Sequence, residues 1–91
     1  MTLIYADLTI DLPFVTSKKG RRAILQGIKE RLHRMNCSVL DISGEYPKEA
    51  HIALAFLSTD DQSAKQKIES IERMLEEHYP DLAVEVRYEF I

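Results

Sequence analysis

In LIYADLTIDL, Leu3 to Leu12, every second residue from Ile4 onward is aliphatic: Ile4, Ala6, Leu8, Ile10 and Leu12. Tyr5, Asp7, Thr9 and Asp11 fill the alternate positions. Period two is the signature of a strand with one buried face. A sheet built from such strands must have its helices on one side only, with the other side left open. Pro13 has no N–H for a ladder and ends the strand.

Past Pro13 the period changes. Ala23 or Ile24, Leu25, Ile28, Leu32 and Met35 recur three and four residues apart, which predicts an amphipathic helix from about Ser17 to Asn36. Thr16 or Ser17 supplies its N-cap oxygen. CSVLDISGE (37–45) reads as a second strand, with Leu40 and Ile42 turned inward, and EYPKEA as a turn. HIALAFLS (51–58) is a third strand with Ile52, Leu54 and Phe56 toward the core. Thr59 and Gln62 have capping-box spacing at the start of a second helix, Asp60 to His78, which buries Ala64, Ile68, Ile71 and Leu75. LAVEVRYEFI (82–91) alternates again.

The order is β-α-β-β-α-β. Two split βαβ units with both helices on one face of a four-stranded antiparallel sheet make an α+β, ferredoxin-like sandwich. No linker or low-complexity tract interrupts the chain, so residues 1–91 read as one ferredoxin-like domain. A chain this short buries only about 60–65% of its extendable surface, which leaves room for a single core.

The composition carries 12 Lys and Arg against 15 Asp and Glu, a net charge of −3. No apolar run approaches the ~20 residues that span a bilayer, and MTLIYADLTIDL lacks a basic leader. The expectation is a cytoplasmic protein with no membrane contact. A single cysteine, Cys37, allows no internal disulfide, and His33, His51 and His78 share no ligand spacing, so no metal or other cofactor is expected. Cys37 follows His33 by four residues but across a helix end, and a buried thiol explains it better than a Cys-His pair. An acylphosphatase needs an arginine in the loop after the first strand and an asparagine on a later strand. Here that loop is LPFVTSKKG and the only asparagine is Asn36, so no catalytic residues are assigned.

The net charge conceals an uneven distribution. Residues 13–36 hold seven bases and one acid, while residues 60–91 hold nine acids and four bases. Within TSKKGRR (16–22), Lys18, Lys19, Arg21 and Arg22 crowd the start of the first helix, where positive charge opposes the helix dipole. Lys29, Arg31 and Arg34 continue along that helix. An incoming phosphate would meet cations and free backbone N–H groups together. The bland alternative is a solvated face balanced by Glu69, Glu72, Glu76 and Glu77 of the second helix, in exposed pairs worth about 0–1 kcal/mol each.

The open sheet face provides the second candidate site. RNA-recognition domains of this architecture stack bases on aromatics of the two central strands. Here those positions hold Tyr5 among acids, and His51, Ala53, Ala55 and Leu57, while Asp7, Asp11, Asp41, Glu85 and Glu89 would repel phosphate. Tyr5, Ala53, Ala55 and Leu57 suit contact with another subunit better than base stacking.

Several segments resemble the YlxP-like proteins, small bacterial proteins of unknown function. Their first strand is followed by Ser-Leu-Lys-(Asp/Glu)-Lys-Arg opening a helix; the corresponding residues here are Ser17-Lys18-Lys19-Gly20-Arg21-Arg22. ILQGIKERLHRM, CSVLDI and AHIALAFLSTD are similar to the family's later segments, whereas Lys18, Gly20 and the connection SGEYPKE depart from its pattern. The resemblance implies a ferredoxin-like fold and genes placed among those for translation initiation and ribosome maturation. It implies no reaction and no cofactor. Two partners are therefore expected: RNA or the ribosome through Lys18, Lys19, Arg21, Arg22, Lys29, Arg31 and Arg34, or alternatively a second copy of the chain in a homo-oligomer.

Overall fold

A computed structural model describes residues 1–91 and runs β1 (Thr2–Asp11), α1 (Lys18–Arg34), β2 (Ser38–Asp41), β3 (Glu49–Ser58), α2 (Asp61–His78) and β4 (Ala83–Phe90). The sheet order is β2-β3-β1-β4, antiparallel throughout. This is the ferredoxin-like arrangement that the alternation of β1 and the order of elements predict.

The even-numbered residues of β1 and β3 face the helices. Ile4, Ala6, Leu8 and Ile10 pack beside Ile52, Leu54 and Phe56, beneath Leu25, Ile28 and Leu32 of α1 and Ala64, Ile68, Ile71 and Leu75 of α2. Each fully buried Leu or Ile contributes about 1.5–3 kcal/mol, so this one cluster supplies most of the driving force. Cys37 and Val15 close its ends.

Helix termini follow local chemistry. Ser17 caps α1, its hydroxyl accepting from Gly20 N at 3.1 Å. At the other end Asn36 takes φ 61°, the left-handed region that asparagine tolerates, and Cys37 N donates back to Leu32 O at 3.1 Å. The Thr59–Gln62 capping box does not form. Asp60 caps α2 instead, accepting from Ser63 N at 2.7 Å, because its carboxylate is the stronger acceptor at the positive end of the dipole.

β2 departs from expectation more seriously. It is four residues long, and its ladder sets Ser38 opposite Ala55, Val39 opposite Leu54 and Leu40 opposite Ala53. Val39 and Asp41 therefore face the helix layer, while Leu40 lies on the open face and is 64% exposed. Ile42, whose N–H bonds His51 O at 2.9 Å, is also exposed. The expectation that Leu40 and Ile42 point inward is wrong by one residue, which in a strand reverses every side chain.

Candidate functional site

The cluster at the start of α1 is largely a brace. Arg21 occupies the same buried stripe as Leu25, Ile28 and Leu32 and is only 8% exposed. Its Nη1 donates to Tyr46 O at 2.8 Å and Glu49 O at 3.0 Å, tying α1 to the β2–β3 connection. Lys18 forms an ion pair with Glu45 in the same connection, and this hydrogen bond and charge hold the Glu45 carboxyl below its ordinary pKa. From the other side, Lys48 Nζ donates to Pro13 O at 2.6 Å and Val15 O at 2.9 Å. Three cations thus lock the β1–α1 and β2–β3 connections together. Arg21 is removed from the anion-binding candidates, because its guanidinium is buried and occupied by carbonyls.

The remaining cations do not form one patch. Lys18, Arg22 and Lys29 follow one flank of α1, the flank beside β2. Burial raises the pKa of Asp41, but hydrogen bonds from Ser43 and the charges of Lys29 and Arg21 outweigh it and hold the carboxyl below its ordinary value. Arg31 turns the other way, its Cζ 6.0 Å from the centroid of the Tyr79 ring. The chain contains three salt bridges, Lys18–Glu45, His51–Glu49 and Arg87–Glu85. None joins α1 to Glu69, Glu72, Glu76 or Glu77, so the balancing expected between the two helices is absent. Lys19, Arg22, Lys29 and Arg34 are left without a carboxylate partner.

The open sheet face is more apolar than its sequence suggested. Tyr5 lies opposite Ala55, Leu3 opposite Leu57, and Leu40 opposite Ala53. Leu57 is 62% exposed, and no helix covers this side. Tyr5 is half-buried; its hydroxyl donates to Asp7 at 2.7 Å, and that bond, with the carboxylate's charge, raises the phenol's pKa. The β4 half of the face carries Glu85, Arg87 and Glu89 opposite Thr9, Asp7 and Tyr5. Asp41, expected among these acids, lies on the other face. Leu3, Leu40 and Ile42 thus join the interface candidates Tyr5, Ala53, Ala55 and Leu57. Sequence reading missed Leu40 and Ile42 because only the β2–β3 register reveals their side.

A second uncovered region borders β4. α2 packs over β1 and β3, leaving a groove of about 350 Å³ between Leu75, Tyr79, Leu82, Val84 and Val86. Farther along the strand Tyr88 and Phe90 are 45% and 40% exposed, with ring centroids 6.0 Å apart.

Reactive side chains are scattered. His51 lies 3.2 Å from Glu49 and 3.4 Å from Thr9 on the open face, and no three His, Cys, Asp or Glu side chains converge on a point that could hold a metal ion. No helix is long and apolar enough to cross a membrane. Burial raises the pKa of the Cys37 thiol despite the nearby Lys67 charge, which leaves it a poor nucleophile.

The family model described as "Protein of unknown function (DUF503)" matches residues 3–88. The chain belongs to the DUF503 family. No protein of curated function matches its sequence. Among solved structures, this DUF503 protein is similar to a de novo designed protein with a ferredoxin fold, at 12% identity, 97% and 85% coverage of the two chains and a TM-score of 0.61. A protein of unknown function from Nitrosomonas europaea is 15% identical, with 100% and 90% of the two chains covered and a TM-score of 0.59. A dimeric ferredoxin-like protein from an uncultured marine organism is 12% identical, with 100% and 93% coverage and a TM-score of 0.50. At these identities the likeness of the DUF503 chain to them is one of fold.

Proposed function

We propose that this DUF503 protein is a non-catalytic interaction module that works as a homo-oligomer. One observation carries the reading: large apolar side chains are exposed on both sides of the sheet, Leu40, Ile42 and Leu57 on the open face and Tyr88 and Phe90 on the helix side of β4. Exposed apolar surface beyond scattered single residues is a common mark of a contact surface. That a protein of the same fold is described as dimeric adds support. The absence of any convergent set of nucleophile, base and oxyanion donors fits binding better than chemistry. Light scattering from low to high micromolar concentration tests the reading. A mass that rises to a multiple of 10.5 kDa supports it. A monomer over the whole range rejects it.

A second reading has its own observation. Lys19, Arg22 and Lys29 stand without carboxylate partners in a chain of net charge −3. Together they would bind phosphate backbone, and the translation-linked setting implied by the YlxP-like resemblance favours RNA or the ribosome. With Arg21 buried and Lys18 paired, fewer cations remain than the sequence suggested, so affinity should be modest and fall with salt. In a filter-binding assay with structured RNA, Arg22→Glu and Lys29→Glu should weaken retention and flatten its salt slope. Unchanged retention would remove this reading and leave the first untouched.

A further inference from the structure

The geometry points to the free edge of β4 as the surface on which a second copy of this chain docks, pairing antiparallel in a register centred on Val86. This rests on the homo-oligomeric reading above and specifies where the contact lies.

The sheet has two edges, and only one is guarded. β2 is four residues long and is flanked by the basic side of α1, so two copies meeting there would bring Arg22 and Lys29 toward their own symmetry mates. β4 is eight residues long, pairs with β1 from Ile4↔Phe90 to Asp11↔Ala83 without a bulge, and contains no proline, glycine or lysine. Its charges, Glu85, Arg87 and Glu89, alternate in sign, so an edge of that length is a template for a strand that answers them.

Backbone bonding identifies which groups are free. Ile91 N donates to Leu3 O at 2.8 Å, which continues the β1–β4 register by one pair. In an antiparallel ladder hydrogen-bonded and non-bonded pairs alternate. The odd-numbered residues of β4 therefore exchange their bonds with β1, while the N–H and C=O groups of Val84, Val86, Tyr88 and Phe90 point out of the sheet. A copy related by a two-fold axis through Val86 sets Val86 against Val86 and Val84 against Tyr88 as bonded pairs.

Side chains select that register. With Val86 at the axis, Glu85 of each copy lies opposite Arg87 of the other, giving two opposite-charge pairs across the seam. Moving the axis by one residue puts Glu85 opposite Glu85 or Arg87 opposite Arg87, and like charges directly opposite are unfavourable. On the helix side, Val84 and Val86 continue the apolar groove across the seam. Glu72 and Glu76 line the Leu82 end of the groove, and Lys65 lies over the Phe90 ring at the other end, 6.0 Å from its centroid. The antiparallel copy thus turns the lysine of one chain toward the glutamates of its mate. The product is a continuous eight-stranded sheet with the two α1 helices at its far rims.

Variants of the full chain test the edge, by sedimentation equilibrium and by cross-linking. Val86→Pro removes an N–H that β1 does not use, a position where an edge strand tolerates proline, so the monomer should keep its circular dichroism while dimer formation is lost. Glu85→Arg creates two like-charge pairs and should weaken the dimer roughly tenfold, and Glu85→Arg/Arg87→Glu should restore it. Under mild oxidation Val86→Cys should cross-link to itself, because bonded pairs hold Cα atoms about 5.5 Å apart, whereas Leu57→Cys on the open face should not. If the parent chain associates, Val86→Pro and Glu85→Arg associate as tightly, and Val86→Cys does not cross-link, the contact lies elsewhere and the edge assignment is wrong, though the homo-oligomeric reading stands. A parent chain that never associates overturns both.

Discussion

Arg21 shows how one side chain can satisfy a helix pattern and defeat a functional expectation. Its position is spaced for the core stripe of α1, yet the residue is charged, and a buried charge needs partners. Tyr46 O and Glu49 O meet that need. Arg21→Met would leave two carbonyls short of a donor and free the β2–β3 connection, costing about 1–3 kcal/mol in chemical denaturation. Arg21→Lys should recover part of that loss, since an ammonium can reach one carbonyl but lacks the planar fork. Arg22, one residue on and exposed, is the control: Arg22→Ala should change stability by less than about 0.5 kcal/mol. Equal losses at the two positions would mean that the buried guanidinium does not brace the loops. The crowding of Lys18, Lys19, Arg21 and Arg22 thus has a structural origin in two of its four members, and the dipole rule is broken there for the sake of a loop anchor.

At the scale of the element, what could be read from sequence depended on how many independent signals agreed. β1, β3, α1 and α2 were legible because each has a long apolar stripe, and a stripe of ten or more residues has only one phase. β2 has four residues and two competing alternations, Val39 with Asp41 and Leu40 with Ile42. Hydrophobicity favours the second, but the pairing with β3 imposes the first, and no local signal reports a partner strand's register. The same gap hid half of the open face and the β4 groove, since both depend on what the helices fail to cover. Helix caps give a direct prediction. Asp60 holds its carboxyl below the ordinary range, first through the backbone hydrogen bond from Ser63 and further through the Ser63 side chain. A folded pKa below the unfolded one adds stability that is fully present above the unfolded value and lost as pH falls through the folded value. The melting temperature of the parent should therefore drop on acidification more than that of Asp60→Asn, which keeps the cap without a charge to titrate. Parallel curves would show that the cap is not electrostatic. At α1, Gly20 needs no special backbone angle, and an added Cβ would stand 3.4 Å from Ser17 Oγ and 3.7 Å from Val15. Gly20→Ala should accordingly raise stability by about 0.5–1 kcal/mol.

For the molecule as a whole, one buried cluster joins both helices to the sheet, and the domain is expected to unfold as one unit. Cys37 tests that claim because it lies at the junction of α1 and β2 and is 5% exposed. Two physical barriers protect its thiol: reagent cannot reach it, and burial raises its pKa so that little thiolate forms. If the domain unfolds as one unit, labelling by an aromatic disulfide should be negligible in native buffer at neutral pH. It should then rise with denaturant along the same curve as the loss of far-ultraviolet circular dichroism. A cavity in the middle of the core, such as Ile28→Ala, should lower both midpoints together, at a cost of about 2–5 kcal/mol. Labelling that runs ahead of the dichroism change would mean that the α1–β2 corner opens locally. In that case the short β2 strand and its exposed Leu40 would be the mobile part of a sheet otherwise held by the long β1–β3 and β1–β4 ladders.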